Sequence, residues 1–217
     1  MSAQGIVKIC GLTSPQAVAD AAAAGARYLG FVFFPRSPRH LEAARAAELA
    51  QAVPAGVAKV ALTVDADDAM LDALLAEVPI DMLQLHGHES PARVASVKAR
   101  YGLPVMKAVG VAEPADLADL DRYLDVADQI LLDAKPPRDA DLPGGNGLAF
   151  DWRLIEGREW SRPWMLAGGL TPETVAEAMR LTGARQLDVA AGVESAPGGT
   201  DPAGVKAFIQ AAQRAAR

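Results

Sequence analysis

The chain has 217 residues, 51% hydrophobic and 22% charged, with 27 acidic against 21 basic side chains. That balance suits one sizeable core and excludes a basic nucleic-acid face, a polybasic membrane patch and, with no run of about 18 apolar residues, a membrane-spanning helix. A single cysteine rules out an internal disulfide framework, and the start of the chain carries no charged-then-apolar leader, so the cytoplasm is the expected location.

Gly5 to Cys10 reads as a short buried strand, with β-branched Val7 and Ile9, closed by Gly11-Leu12-Thr13. Ser14-Pro15 is an N-cap followed by proline at the first helical position, and the helix stops at Gly25. Tyr28 to Phe34 is an apolar strand, followed by the basic loop Pro35-Arg36-Ser37-Pro38-Arg39-His40 and a helix over residues 41–53. Strand three covers residues 59–64, and a helix over 69–77 follows the polar turn at Asp65. Strand four runs into His86-Gly87, and Ser90-Pro91 repeats the cap signal before a helix reaching Tyr101.

Strand five is Val105 to Val109, with a helix opening near Pro114, and strand six is Gln129 to Asp133. A long loop holds Gly144-Gly145-Asn146-Gly147 before a short helical stretch over 150–155. Strand seven runs from Pro163 to Gly169, with Thr171-Pro172 capping the next helix; strand eight is Gln186 to Ala190, and Asp201-Pro202 opens a closing helix to about Ala212. Eight near-continuous apolar strands alternate with eight helical stretches, roughly 27 residues per unit, which predicts an α/β fold: a single (β/α)8 barrel domain over residues 1–217. The rival, a doubly wound open sheet, wants a G-x-G-x-x-G fingerprint after strand one, and Cys10-Gly11-Leu12-Thr13 is not one.

A barrel gathers its strand-end residues at one mouth, here Cys10, the loop to Arg39, Asp65, His86, Lys107, Asp133, Gly168-Gly169 and Asp188. Gly168-Gly169 and Ala190-Ala191-Gly192 follow strands seven and eight, where backbone N–H groups can approach a phosphate; tight turns alone are the plainer alternative. Cys10 and Asp133 end strands one and six, so they can face one substrate from two sides as base and acid. A buried structural cysteine and a loop-anchoring carboxylate are the alternatives. Desolvation after Ile130-Leu131-Leu132 would raise the Asp133 pKa, and cations such as Lys107 would lower that of Cys10. Arg36 and Arg39 suit an anionic ligand. His86-Gly87-His88 has metal-like spacing, but three histidines and one cysteine give no third ligand, so no metal is expected. His86 is read as a polar residue at the rim.

At these residues the chain resembles the phosphoribosylanthranilate isomerase family of tryptophan biosynthesis. The likeness is carried, in order, by Lys8 to Thr13, Gly30 to Arg39, Leu83 to Gly87, Leu131-Leu132-Asp133, Gly144 to Gly147 with Phe150-Asp151-Trp152, Ala167 to Glu173, and Leu187-Asp188-Val189 with Gly192-Val193-Glu194. The resemblance implies Cys10 as general base, Asp133 as general acid and Arg39 as binder of the anthranilate carboxylate. His86 and Asp188 are expected as further substrate contacts, and Gly168, Gly169, Ala191 and Gly192 at the phosphate. It implies an Amadori rearrangement of a small phosphoribosyl substrate without cofactor, metal, nucleic acid or membrane, by a monomer or homodimer. One departure is Ala190-Ala191 where the family usually has a serine, which removes a hydroxyl but keeps the backbone donors. Two other readings are a phosphosugar lyase or epimerase working through Lys107 or a metal, and a non-catalytic phosphate-binding barrel.

Overall fold

The computed structural model describes residues 5–137, 140 and 142–217; residues 1–4 of the expected domain lie outside the described residues. Eight parallel strands close in sequence order: β1 (Ile6–Cys10), β2 (Tyr28–Phe33), β3 (Ala58–Thr63), β4 (Met82–Leu85), β5 (Val105–Val111), β6 (Gln129–Ala134), β7 (Trp164–Leu166) and β8 (Gln186–Val189), with β8 pairing back onto β1. Around them, among the described residues, lie seven α-helices: α1 (Pro15–Ala24), α2 (Ala43–Gln51), α3 (Asp68–Glu77), α4 (Pro91–Tyr101), α5 (Pro114–Asp121), α6 (Val175–Thr182) and α7 (Pro202–Ala215).

The serine–proline and aspartate–proline signals act as read. Ser14, Ser90 and Asp201 accept from backbone N–H groups of the first turns of α1, α4 and α7, with proline at the helix start each time. A large apolar cluster, including Ile9, Leu29, Phe31, Val205 and Phe208, packs the barrel wall against its helices. A separate small cluster of Met106, Ala108, Leu131, Met165 and Ala167 fills the inside. Leu131 shares the inward face with Asp133 two residues on, so the plug stops where the polar mouth begins.

The expected helix after β6 is a single 3-10 turn, Trp152–Ile155. Three prolines and four glycines between Lys135 and Pro163 leave too little helix-forming sequence for more. α6 begins a turn later than Thr171-Pro172 suggests, although the Thr171 hydroxyl does accept from the N–H groups of Glu173 (3.2 Å) and Thr174 (3.3 Å). α2 starts two residues late because Leu41 N–H still donates to Val32 O, prolonging the run beside β2. A hairpin that the sequence did not signal, β9 (Glu194–Ala196) and β10 (Gly199–Thr200), interrupts the path from β8 to α7.

Candidate active site

A cavity of about 270 Å³ opens at the carboxyl ends of the strands, bordered by Cys10, Asp133, Arg39, His86 and Asp188 and by the glycine loops at Gly168-Gly169 and Ala191-Gly192. Cys10 ends β1 and is 6% exposed. Burial pushes its thiol above the ordinary range; Lys8 pulls it back, Asp188 pushes it up again, and Arg39 lowers it. The neighbouring cation is therefore Lys8, not Lys107 as the sequence suggested. Lys8 is fully buried two residues before Cys10 on the same strand face, and its Nζ lies 2.8 Å from Asp188 Oδ1. Lys8 and Asp188 are register partners across the β1–β8 seam. Burial works against the ammonium, yet Asp188 and then Cys10 hold its pKa well above the ordinary range.

Asp133, at the end of β6, accepts from Ala134 N–H with Oδ1 (2.8 Å), while Oδ2 lies 3.4 Å from His86 Nε2. Gln84 Nε2 donates to His86 Nδ1 at 2.9 Å, an orientation that leaves the ring proton on Nε2, toward Asp133. His86 and His88 part company: His88 is exposed, with Nδ1 3.3 Å from Asp65 Oδ2. Among the described residues no group of three or more His, Cys, Asp or Glu is arranged to hold a metal.

Arg39 lies at the mouth with its Nε and Nη2 each 2.7 Å from an oxygen of Glu194, a bidentate pair. Burial opposes the guanidinium charge, and Glu194 outweighs it and raises the pKa. Glu194 thereby fixes the plane of the fork and leaves Nη1 on the side of Gly145. Arg36, exposed, does not border the cavity.

The loops after β7 and β8 lock into each other. A side chain on Gly192 would collide with the Leu170 carbonyl. Gly168, at φ +80°, has no room for one beside Ala134 N, 2.7 Å from where its Cβ would stand. The N–H groups of Gly169, Ala191 and Gly192 donate to no acceptor among the described residues, so three backbone donors remain for a ligand.

Lys107 leaves the expected ring altogether. It points out of the barrel, with Nζ 2.7 Å from Glu89 Oε2 and from Gly87 O, over the Tyr123 ring. That takes away the lysine on which a lyase or epimerase reading depends. Asp65, too, is engaged elsewhere, tying its loop after β3 to the loop after β4 by accepting from His88 N–H at 2.6 Å. Lys107→Met, which strands Glu89 as a buried charge, is expected to lower stability by about 3–5 kcal/mol in a urea titration while the folded fraction keeps turnover within about tenfold.

Sequence reasoning missed three residues of this site. Lys8 had a usable signal: a lysine inside an apolar strand, two residues from the thiol, has to face the same way as the thiol. Gln84 relates to His86 in the same manner. Glu194, which holds Arg39 from 155 residues away, left no local trace.

A closed eight-stranded barrel with a thiol, a carboxyl group and unpaired backbone donors around one mouth defines a (β/α)8-barrel enzyme. A family model for N-(5'phosphoribosyl)anthranilate (PRA) isomerase matches residues 7–211. The N-(5'-phosphoribosyl)anthranilate isomerase of Cereibacter sphaeroides is 67% identical over 207 residues, covering 95% of this chain and 98% of its own. That of Paracoccus denitrificans is 66% identical over 203 residues, 94% of each chain. Among solved structures, phosphoribosyl anthranilate isomerase from Thermotoga maritima superposes with a TM-score of 0.87 at 33% identity, covering 96% of this chain and 98% of its own. A phosphoribosyl anthranilate isomerase in complex with reduced 1-(o-carboxyphenylamino)-1-deoxyribulose 5-phosphate gives a TM-score of 0.83 at 31% identity, with the same coverage. The chain belongs to the N-(5'-phosphoribosyl)anthranilate isomerase family.

Proposed function

We infer that the protein isomerises N-(5'-phosphoribosyl)anthranilate to 1-(2-carboxyphenylamino)-1-deoxyribulose 5-phosphate by an Amadori rearrangement, a step of tryptophan biosynthesis. The observation that carries this reading is one cavity bordered by Cys10 and Asp133 from strands one and six, with unpaired backbone donors at one end and the Arg39 fork at another. Asp133 gives its proton to the furanose ring oxygen as the C1'–O bond breaks and the anilino nitrogen pair forms the C1'=N iminium. Cys10 thiolate then removes the C2' proton, and the C2'–H electrons form the enolamine. Loss of the enol O–H proton and protonation of C1' complete the ketone. The iminium is its own electron sink, so no cofactor is called for.

The N–H groups of Gly169, Ala191 and Gly192 are assigned to the phosphate, remote binding energy that positions the reacting carbons. Ala190 and Ala191 bring no hydroxyl there, so these donors carry the contact. His86 and Asp188 border the same cavity as substrate contacts, with Asp188 also bound to Lys8. Among the described residues no helix is long and apolar enough to cross a membrane. Purified protein is expected to abolish the fluorescence of the anthranilate substrate at a rate that a chelator does not change. Absence of that loss refutes the assignment, and chelator sensitivity refutes the metal-free route.

Arg39 is assigned to the substrate carboxylate through its Nη1 side. Arg39→Ala is expected to raise KM for the anthranilate ester by roughly 10- to 100-fold, the worth of a charge-assisted hydrogen bond. Inhibition by inorganic phosphate should hardly change. Equal weakening of both ligands contradicts the placement. The variant also leaves Glu194 buried without its cation, so its melting temperature should fall.

A further inference from the structure

We propose that Lys8 is a positioning residue for Cys10: its buried ammonium, clamped by Asp188 across the barrel seam, is the internal counterion on which the Cys10 thiolate forms. The proposal rests on the reading of Cys10 as base and adds the group that makes a base possible in so enclosed a place. Three observations carry it.

First, Lys8 and Cys10 lie on one face of β1, and the mouth above them is bordered by Cys10 and Asp188 together. Second, nothing separates the two side chains. Both lean over Gly30, the register partner of Cys10 on β2. A Cβ at Gly30 would stand 2.7 Å from Cys10 Sγ and 3.2 Å from Lys8 Nζ, so sulfur and ammonium share the space that this glycine leaves open. Third, Asp188 Oδ1, at 2.8 Å, takes one of the three donors of the Lys8 ammonium, and side-chain hydrogen bonding to the Cys10 sulfur bears on both groups. An anion beside it is thus accommodated without breaking the ion pair.

The charged groups facing the thiol are Lys8 on β1, Asp188 on β8 and Arg39 from the loop after β2. Arg39 is spoken for by Glu194, in a bidentate pair that balances its charge. Asp188 opposes the thiolate, so the lysine has two tasks: it masks that carboxylate and it attracts the sulfur anion. The direction of each influence agrees, with Lys8 lowering the thiol pKa against burial and Asp188 raising it.

Cys10 is the only cysteine, so ultraviolet thiolate absorbance and the alkylation rate with iodoacetamide report on it alone. In the full-length protein without substrate, Lys8→Met is expected to move the thiolate midpoint up by about one to three units. Alkylation at a fixed pH below the midpoint then slows about tenfold or more. Asp188→Asn should move the midpoint down and speed alkylation. The limiting rate at high pH, which measures access, should hold in both. Should Lys8→Met fail to fold with Asp188 left alone, the double variant Lys8→Met/Asp188→Asn has no buried charge to strand, and its midpoint is expected above the wild type because Lys8 is the stronger influence. A midpoint at or below the wild-type value in Lys8→Met or in the double variant overturns the proposal. These titrations need no turnover, so they fail or succeed independently of the isomerase assay.

Discussion

Cys10→Ser is expected to cut kcat by about 10²- to 10⁴-fold, the range for losing a general base, with the melting curve nearly unchanged. Serine is almost isosteric, so the end of β1 should keep its packing. A hydroxyl, however, holds its proton far above neutral pH even beside a lysine. The wild-type pH profile belongs to the same prediction. Burial displaces the Cys10 thiol upward, and activity through the thiolate appears only as pH rises through that value. The acidic limb of kcat/KM should therefore reach further into the alkaline range than an ordinary thiol would give, and Cys10→Ser should lack that limb. Near-wild-type turnover in the serine variant removes the thiolate from the mechanism.

Asp133→Asn should lower kcat by at least about 10²-fold and leave the affinity for a product analogue little altered. The argument is one of shape against chemistry. Asparagine keeps the oxygen that accepts from Ala134 N–H, but it turns an amide nitrogen toward His86 and has no carboxyl proton to deliver to a ring oxygen. Steady-state kinetics combined with calorimetric binding of the analogue separates the two. Preserved turnover moves ring opening to another group, and among the described residues Asp188 is the other carboxyl that borders the cavity.

Much of this arrangement was legible before any coordinates. The apolar runs that became β1 to β8 are local, and so are the serine–proline and aspartate–proline caps, so their order led directly to the barrel. A barrel brings all strand ends together, which is why residues as far apart as Cys10 and Gly192 could be placed at one mouth. What stayed hidden depends on orientation or on distant partners. Lys107 lies within β5 and faces the helices, where Glu89 and Tyr123 hold it. Lys8 has its partner 180 residues away. The hairpin after β8 rests on two short strands of three and two residues, below what alternation can signal.

The seam between first and last strands gives the chain a built-in order of events. Cys10 is synthesised with the first strand, whereas Asp188, which secures Lys8, follows 178 positions after it. A chain released after its sixth strand would carry both Cys10 and Asp133 and still lack the loops after β7 and β8, the clamp on Lys8 and the Glu194 brace on Arg39. Truncated or half-synthesised molecules are therefore expected to be inactive, and activity to appear with docking of the final β-unit. A split protein, cut between β6 and β7 and mixed as two fragments, should regain turnover and the displaced thiol titration together, as a single event of ring closure.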